Sequence, residues 1–244
     1  MTGASGVLGK HVVHIATERG LSVRRLSRTP RPGSAWVVGD VATGEGLAGA
    51  LAGVDAVIHC ASDPRSHAET DVTGTANLVR AANGCRVVFP GIVGADVIPY
   101  RYYRSKTAAE NVLETSDTPH TIQRYTQFHD LLWTMLSSLI RLPVVPVPND
   151  TRFQVLDAAV AARHLVDAAV APAAGRLPDV GGPTVYDVED LARSVAAAHG
   201  RKRKVFGVNV PGLVGAAFRA GGNLTPNRDE SGITWNEFVA ARMN

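Results

Sequence analysis

The chain has 244 residues, 45% of them hydrophobic, and a net charge of +3. That is ample apolar material for a single large α/β domain, and too little charge for a disordered chain or a strongly basic nucleic-acid binder. No apolar run reaches the roughly 18 residues of a membrane span and no signal peptide opens the chain, so a cytoplasmic protein with no membrane or nucleic-acid partner is expected. Cys60 and Cys85 share no pair spacing and lie in apolar, strand-like surroundings, which reads as two reduced core thiols. No metal site is expected.

The chain opens on Thr2-Gly3-Ala4-Ser5-Gly6-Val7-Leu8-Gly9, followed by a helical run to Arg19. Glycines three residues apart let a chain turn sharply off a strand, bring backbone amides close to a phosphate, and seat the next helix tightly on a sheet. The pyrophosphate of a dinucleotide would then lie at the positive end of that helix. Gly3, Ser5, Gly6, Val7, Leu8 and Gly9 are the candidate phosphate-binding residues. Such a loop normally follows a buried strand, yet only Met1 precedes Thr2, so the first strand is expected to be missing and the start of the sequence to be placed too late. The helix Val7 to Arg19 should bury Val12, Val13, Ile15 and Ala16 and close at Gly20. His11 and His14 lie one turn apart and read as a surface pair.

Leu21 to Leu26 reads as a strand whose far end selects the dinucleotide. An acid there serves the ribose hydroxyls of NAD, an arginine the 2′-phosphate of NADP. Arg24, Arg25 and Arg28 are present without an acid. Arg28, just past the strand end, is the expected phosphate ligand, with NADP(H) preferred and NAD(H) left open. Trp36 to Val38 forms a third strand ending at Asp40 and Val41, a carboxylate and an amide suited to an adenine edge. Leu47 to Leu51 fits a short helix, and Ala56 to Ser62 a buried strand running into a loop where Ala61 and Ser62 would let the cofactor pass close by. A helix from Asp71 to Asn83, closed by Gly84, and a fifth strand at Arg86 to Phe89 continue the alternation, which means a parallel sheet wound on both faces.

Beyond that strand stands Tyr102-x-x-x-Lys106 in a segment that looks helical from Tyr102 onward. Residues four apart share a helix face, so phenol and ammonium would lie one above the other. A neighbouring cation favours phenolate, which would pull the Tyr102 pKa down from about 10 and make the phenol a usable proton donor to a carbonyl receiving hydride. Lys106 would also hold the nicotinamide ribose.

Taken together, the glycine loop, Gly39-Asp40, Ile92-Val93-Gly94, Tyr102 to Lys106 with Glu110, and Thr126-Gln127-Phe128-His129 resemble the atypical short-chain dehydrogenase/reductases, in their NmrA-like, NAD(P)H-binding branch. The resemblance runs on to Phe218 to Gly221 and Thr234-Trp235. It implies a Rossmann fold that binds NAD(P)(H), with Tyr102 as acid/base and Lys106 as its helper and ribose ligand. The family usually carries a serine at the end of the fifth strand to orient the substrate carbonyl, where this chain has Pro90-Gly91. One such donor is typically worth about 10² to 10³ in rate.

His120 to Arg124 reads as the sixth strand, with Tyr125 at its carboxyl end joining the cofactor-binding set. The helix Gln127 to Leu139 should bury Phe128, Leu131, Leu132 and Met135, and His129 reads as a helix-surface histidine. Pro143 to Pro148 is an extended segment, Asp157 to Val170 and Asp187 to His199 are helices, Arg201 to Lys204 is a solvated loop, and Val205 to Val210 is a strand. Thr234 to Glu237 is a capping box for a last helix. The chain is expected to be a single Rossmann domain over 1–244, with about 143–244 forming a small cap on the substrate side. The resulting reading is an NADP(H)-dependent oxidoreductase that reduces a small carbonyl or quinone. A non-catalytic dinucleotide sensor and a sugar-nucleotide epimerase or dehydratase are the alternatives, and a homodimer is left open.

Overall fold

A computed structural model describes residues 1–63 and 68–243. In chain order its elements are α1 (Val7–Glu18), β1 (Arg25–Ser27), β2 (Trp36–Val38), α2 (Leu47–Leu51), β3 (Ala56–Ile58), a π-helical segment Ala68–Thr73, α3 (Gly74–Ala81), β4 (Arg86–Ile92), α4 (Arg101–Glu114) and β5 (His120–Tyr125). There follow α5 (His129–Leu139), β6 (Val144–Pro148), β7 (Arg152–Phe153), α6 (Ala158–Val170), β8 (Gly175–Arg176), β9 (Tyr186–Asp187), α7 (Val188–Ala198), β10 (Lys204–Val208), α8 (Gly212–Arg219) and α9 (Trp235–Ala241). The chain divides into two compact units: Met1–Gly91 with Arg101–Arg124 and Ala161–Pro178, and Ile92–Tyr100 with Tyr125–Val160 and Asp179–Asn244.

The first unit is the α/β part. Its strands β3, β4, β5 and β8 lie side by side in that order, β3 parallel to β4 with Ala56 opposite Arg86, and β5 parallel to β8 with Thr121 opposite Gly175. Strands β1 and β2 form a separate parallel pair. Met1 and Thr2 bridge the two groups. The Leu26 amide donates to the Met1 carbonyl (2.9 Å), the Thr2 amide donates to the Ile58 carbonyl (3.1 Å), and Thr2 pairs in parallel with His59. Two residues of extended backbone thus stand at the position where the sequence leads one to expect a whole strand. The alternating helices bury a common apolar face against the sheet: Leu78 and Ala82 near α3, Ala109 and Leu113 of α4, and Val57, Val87, Phe89 and Ile122 of the strands form one cluster.

Several boundaries differ from the sequence reading, three of them in the elements that carry the site. The expected strand Leu21 to Leu26 pairs only from Arg25, because its partner β2 is three residues long. The expected fifth strand runs on through Pro90 and Gly91 to Ile92. Its pairing with β3 ends at Val88, whose carbonyl accepts from the His59 amide (2.8 Å); Pro90, with no amide hydrogen, cannot supply the next rung on that side. The expected helix from Asp71 begins inside the π-helical segment and continues as α3.

In the second unit β6 and β10 pair in parallel, β7 and β9 antiparallel. A core of Leu132, Leu136, Ile140, Val145, Val147, Leu191, Val195 and Trp235 holds the helices to them. The buried stripe of α5 is His129, Leu132 and Leu136, the i, i+3, i+7 positions, whereas Leu131 and Met135 are exposed. His129 is therefore a core residue, not a surface one. Its ring lies 5.0 Å from that of Phe238 and 5.9 Å from that of Trp235, and burial pushes its pKa down to about 4. The basic run is only partly a solvated loop, since Arg201 and Arg203 both donate to the Ile140 carbonyl at the end of α5. The capping box at Thr234 and Glu237 forms as expected. Among the described residues no helix is long and apolar enough to cross a membrane.

Candidate dinucleotide and proton-transfer site

Thr2 fixes the floor of the glycine loop. Its hydroxyl lies 2.7 Å from Nδ1 of His59 and accepts from the Ala61 amide (3.0 Å), which ties the start of the loop to the turn after β3. His59 is fully buried, and burial first, then the Lys106 charge, pushes its pKa down to about 3, so the ring is neutral. Gly3 has φ +66, and a Cβ there would fall 2.5 Å from the Cys60 carbonyl carbon. A Cβ on Gly9 would fall 2.0 Å from the Gly3 carbonyl oxygen. Only glycine satisfies both positions. The Gly6 amide closes the turn on Gly3 (3.0 Å), and α1 then starts at Val7 with no side-chain cap and no acid in its first turn. A helix start of this kind leaves its first amides to an anion, so the residues fit the pyrophosphate of a dinucleotide.

The arginines divide their tasks. Arg24 donates to the Ala50 and Ala52 carbonyls (2.9 and 2.8 Å) at the end of α2, which makes it structural. Arg25 and Arg31 both lie over the Trp36 ring, at 5.6 and 4.9 Å from its centroid, and Arg31 donates to the Ser27 hydroxyl. With Lys10, Ser5 and Trp36 they line a cavity of about 470 Å³ beside the glycine loop, and no acid is among its lining residues. Arg28 is exposed just beyond β1. Arg31 is thus a second candidate for a phosphate, hidden in the sequence because it follows Pro30 and its contact with Trp36 depends on how that turn folds. Asp40 accepts from the Ala42 amide (2.8 Å), and Asn77 donates to the Val41 and Ala42 carbonyls, so the turn after β2 is held in place. A larger cavity of about 790 Å³ lies at the other ends of β3 and β4, lined by Asp55, Cys85 and Arg86, away from the loop.

Tyr102 and Lys106 both lie on α4, yet their side chains meet different partners. The Tyr102 hydroxyl is 2.8 Å from that of Ser62. The Lys106 ammonium lies 3.6 Å from the Asp71 carboxylate and 4.1 Å above the centroid of the Phe89 ring. The expectation that the tyrosine pKa is pulled down is reversed. Burial pushes it up to about 12, the Asp71 and Asp63 carboxylates add to the rise, and the Ser62 hydrogen bond opposes it. Burial likewise lowers the Lys106 pKa, against the pull of Asp71 and Glu110. Asp71, fully buried, is a site residue that the sequence reading misses. Burial raises its pKa, against the Lys106 charge, the Ser62 hydroxyl and the Asp63 amide. A signal exists, because Asp71, Thr75 and Leu78 follow the i, i+4, i+7 spacing of a buried face and all three are buried.

Gly91 has a steric reason. A Cβ there would lie 2.3 Å from Oε1 of Glu110 and 2.7 Å from Cγ of Arg124. Glu110 is fully buried and takes both Nε and Nη2 of Arg124, the latter at 2.6 Å, together with Nη1 of Arg176 at 3.1 Å. The space of a strand-end side chain is filled by this ion cluster. Gly91→Ser is accordingly expected to destabilise the protein by about 1–3 kcal/mol through overpacking, read as a fall in the urea midpoint with the slope unchanged. An unchanged midpoint would show that the cluster yields freely. Tyr125 is buried in the second unit, where its carbonyl accepts from the Val93 amide (3.0 Å) and its ring lies 6.4 Å from that of Phe128. Cys60 and Cys85 are both free, and among the described residues no cluster of His, Cys, Asp and Glu could hold a metal ion.

Comparison with solved structures gives the same fold. A nucleoside-diphosphate-sugar epimerase from Staphylococcus aureus superposes with a TM-score of 0.78 at 20% identity, covering 98% of each chain. An NADPH-dependent quinone oxidoreductase from Escherichia coli, complexed with NADPH, superposes with a TM-score of 0.79 at 18% identity over 100% of this chain and 99% of that one. A 3-beta-hydroxysteroid dehydrogenase of Mycolicibacterium neoaurum is 28% identical over 83% of this chain and 70% of its own length. The family profile described as NAD(P)H-binding matches residues 3–131, from the glycine loop through Tyr102 and Lys106 into α5. With a fold of interleaved helices and parallel strands, a loop that only glycine can build and a profile match over more than half its length, the chain belongs to the NAD(P)H-binding family.

Proposed function

We propose that the protein is an NADP(H)-dependent oxidoreductase that reduces a small carbonyl or quinone, with Tyr102 as proton donor. The observation that carries this reading is the Tyr102 hydroxyl, held 2.8 Å from Ser62 on the turn after β3, with the buried Lys106 cation one helical turn along α4. When bound, the reduced nicotinamide supplies hydride. The chain's own residues do the rest. The first amides of α1 take the pyrophosphate, and Arg28 and Arg31 answer the charge of a 2′-phosphate. Tyr102 delivers its proton to the substrate oxygen, and Lys106 stabilises the phenolate left behind while holding the ribose. The E. coli quinone oxidoreductase and the M. neoaurum steroid dehydrogenase supply precedents for both halves of the substrate class.

The deciding experiment follows NADPH consumption by the purified protein against a panel of quinones, aldehydes and ketones. Saturable turnover of one of them supports the reading. A second reading, a dinucleotide sensor without chemistry, is favoured by Gly91 and by the raised Tyr102 pKa, and it predicts NADPH binding with no turnover of any of the panel. For the cofactor, Arg28→Ala and Arg31→Ala should each weaken NADPH about tenfold and leave NADH nearly unchanged, since only NADPH loses a charge-assisted contact. Equal losses for the two dinucleotides in calorimetry would remove the NADP preference.

A further inference from the structure

We propose that Ser62 is the second hydroxyl of the reaction centre, holding the substrate carbonyl oxygen jointly with Tyr102 in place of the strand-end side chain that Gly91 lacks. The assignment deepens the oxidoreductase reading and rests on it. From the sequence alone, Ser62 is expected to line the cofactor. The structure gives its hydroxyl a different neighbour, the phenol of Tyr102 at 2.8 Å.

Two hydroxyls at that separation can converge on one acceptor, because an oxygen about 2.8 Å from each completes a triangle of ordinary O–H···O distances. Each hydroxyl carries one hydrogen and two lone pairs. In the free protein the two hydroxyls share one contact, and the Ser62 hydroxyl also faces the Asp71 carboxylate. A carbonyl oxygen entering the triangle draws both hydrogens toward itself, that of Ser62 in competition with Asp71. The turn that carries Ser62 is fixed by its neighbour, since the Ala61 amide donates to the Thr2 hydroxyl (3.0 Å), and Ser62 itself stays partly exposed and open to a substrate. Gly91 cannot supply such a donor, because even a Cβ there meets Glu110 and Arg124.

The chemical balance is simple. A carbon–hydrogen bond forms as hydride passes from the reduced nicotinamide to the carbonyl carbon, and the carbonyl π pair moves to oxygen. Tyr102 then gives its proton to that oxygen, so the carbonyl is reduced to an alcohol and the nicotinamide is oxidised. Ser62 keeps its proton throughout. Its hydrogen bond supports the oxygen while charge develops there and, once the product leaves, returns to the Tyr102 phenolate, the direction in which it already acts in the free protein.

The test compares wild type, Ser62→Ala and Ser62→Thr with NADPH and phenanthrenequinone, with NADPH affinity measured by calorimetry. Ser62→Ala is expected to lower kcat about 10²-fold and to leave NADPH affinity within about twofold, while Ser62→Thr, which keeps the hydroxyl, retains most of the rate. A Ser62→Ala protein as fast as wild type would overturn the assignment alone. So would one that loses NADPH affinity instead of kcat, since Ser62 would then be a cofactor ligand. Absence of wild-type turnover with every quinone and carbonyl tried would overturn the oxidoreductase reading and this assignment with it.

Discussion

Tyr102→Phe is expected to lower turnover at least about 10³-fold while NADPH affinity stays within about twofold of wild type. The phenol is the group of α4 that meets the Ser62 hydroxyl, whereas the buried Asp71 carboxylate is engaged with Lys106. Removing the hydroxyl removes the proton while leaving the ring to fill its space, so the loss should fall on kcat alone. Steady-state kinetics beside calorimetry separates the two quantities. A Tyr102→Phe variant that keeps its rate would take Tyr102 out of the mechanism.

Glu110→Ala should have the largest effect on stability, a loss of about 3–5 kcal/mol. Glu110 is fully buried and neutralises Arg124, itself buried, through a two-pronged ion pair, and it also reaches Arg176, which continues to Glu114 at 2.7 Å. Without the carboxylate the Arg124 guanidinium stays buried beside Gly91 and loses its two-pronged ion pair. The partly exposed Arg176–Glu114 pair cannot replace it, because exposed ion pairs are worth about 0–1 kcal/mol. A urea midpoint barely changed by Glu110→Ala would mean that Arg124 escapes to water, and that the crowding at Gly91 is relieved by the same movement.

How far the sequence can be read follows from which contacts are local. The glycine loop is legible because part of its demand is local, since Gly3 must turn with positive φ and Gly9 must let helix meet loop, although the close approach of Cys60 to Gly3 is a tertiary contact. The Tyr102–Lys106 spacing is legible for the same reason, being one turn of α4. Their electrostatics are not. Asp71, thirty-odd residues upstream, holds Lys106 and adds to the rise that burial imposes on the Tyr102 pKa, and no helical periodicity along α4 reveals that partner. Arg31 is invisible in a similar way, since its place over Trp36 is made by the turn after β1. His129 is misjudged because one helix offers several apolar stripes, and only the packing of Trp235 and Phe238, more than a hundred residues later, selects the stripe that contains it. The residue at position 91 stands out in the sequence as a departure, but its cause, the Glu110–Arg124 cluster, is a tertiary fact.

The central claim is that the glycine loop binds a nicotinamide dinucleotide, and calorimetric titration of NADPH and NADH into wild type and Gly9→Ala tests it most directly. Saturable binding that favours NADPH in wild type and is lost in Gly9→Ala, whose new methyl would press on the Gly3 carbonyl, is the predicted result. No binding by the wild-type protein, or equal binding by a folded Gly9→Ala variant, would contradict it.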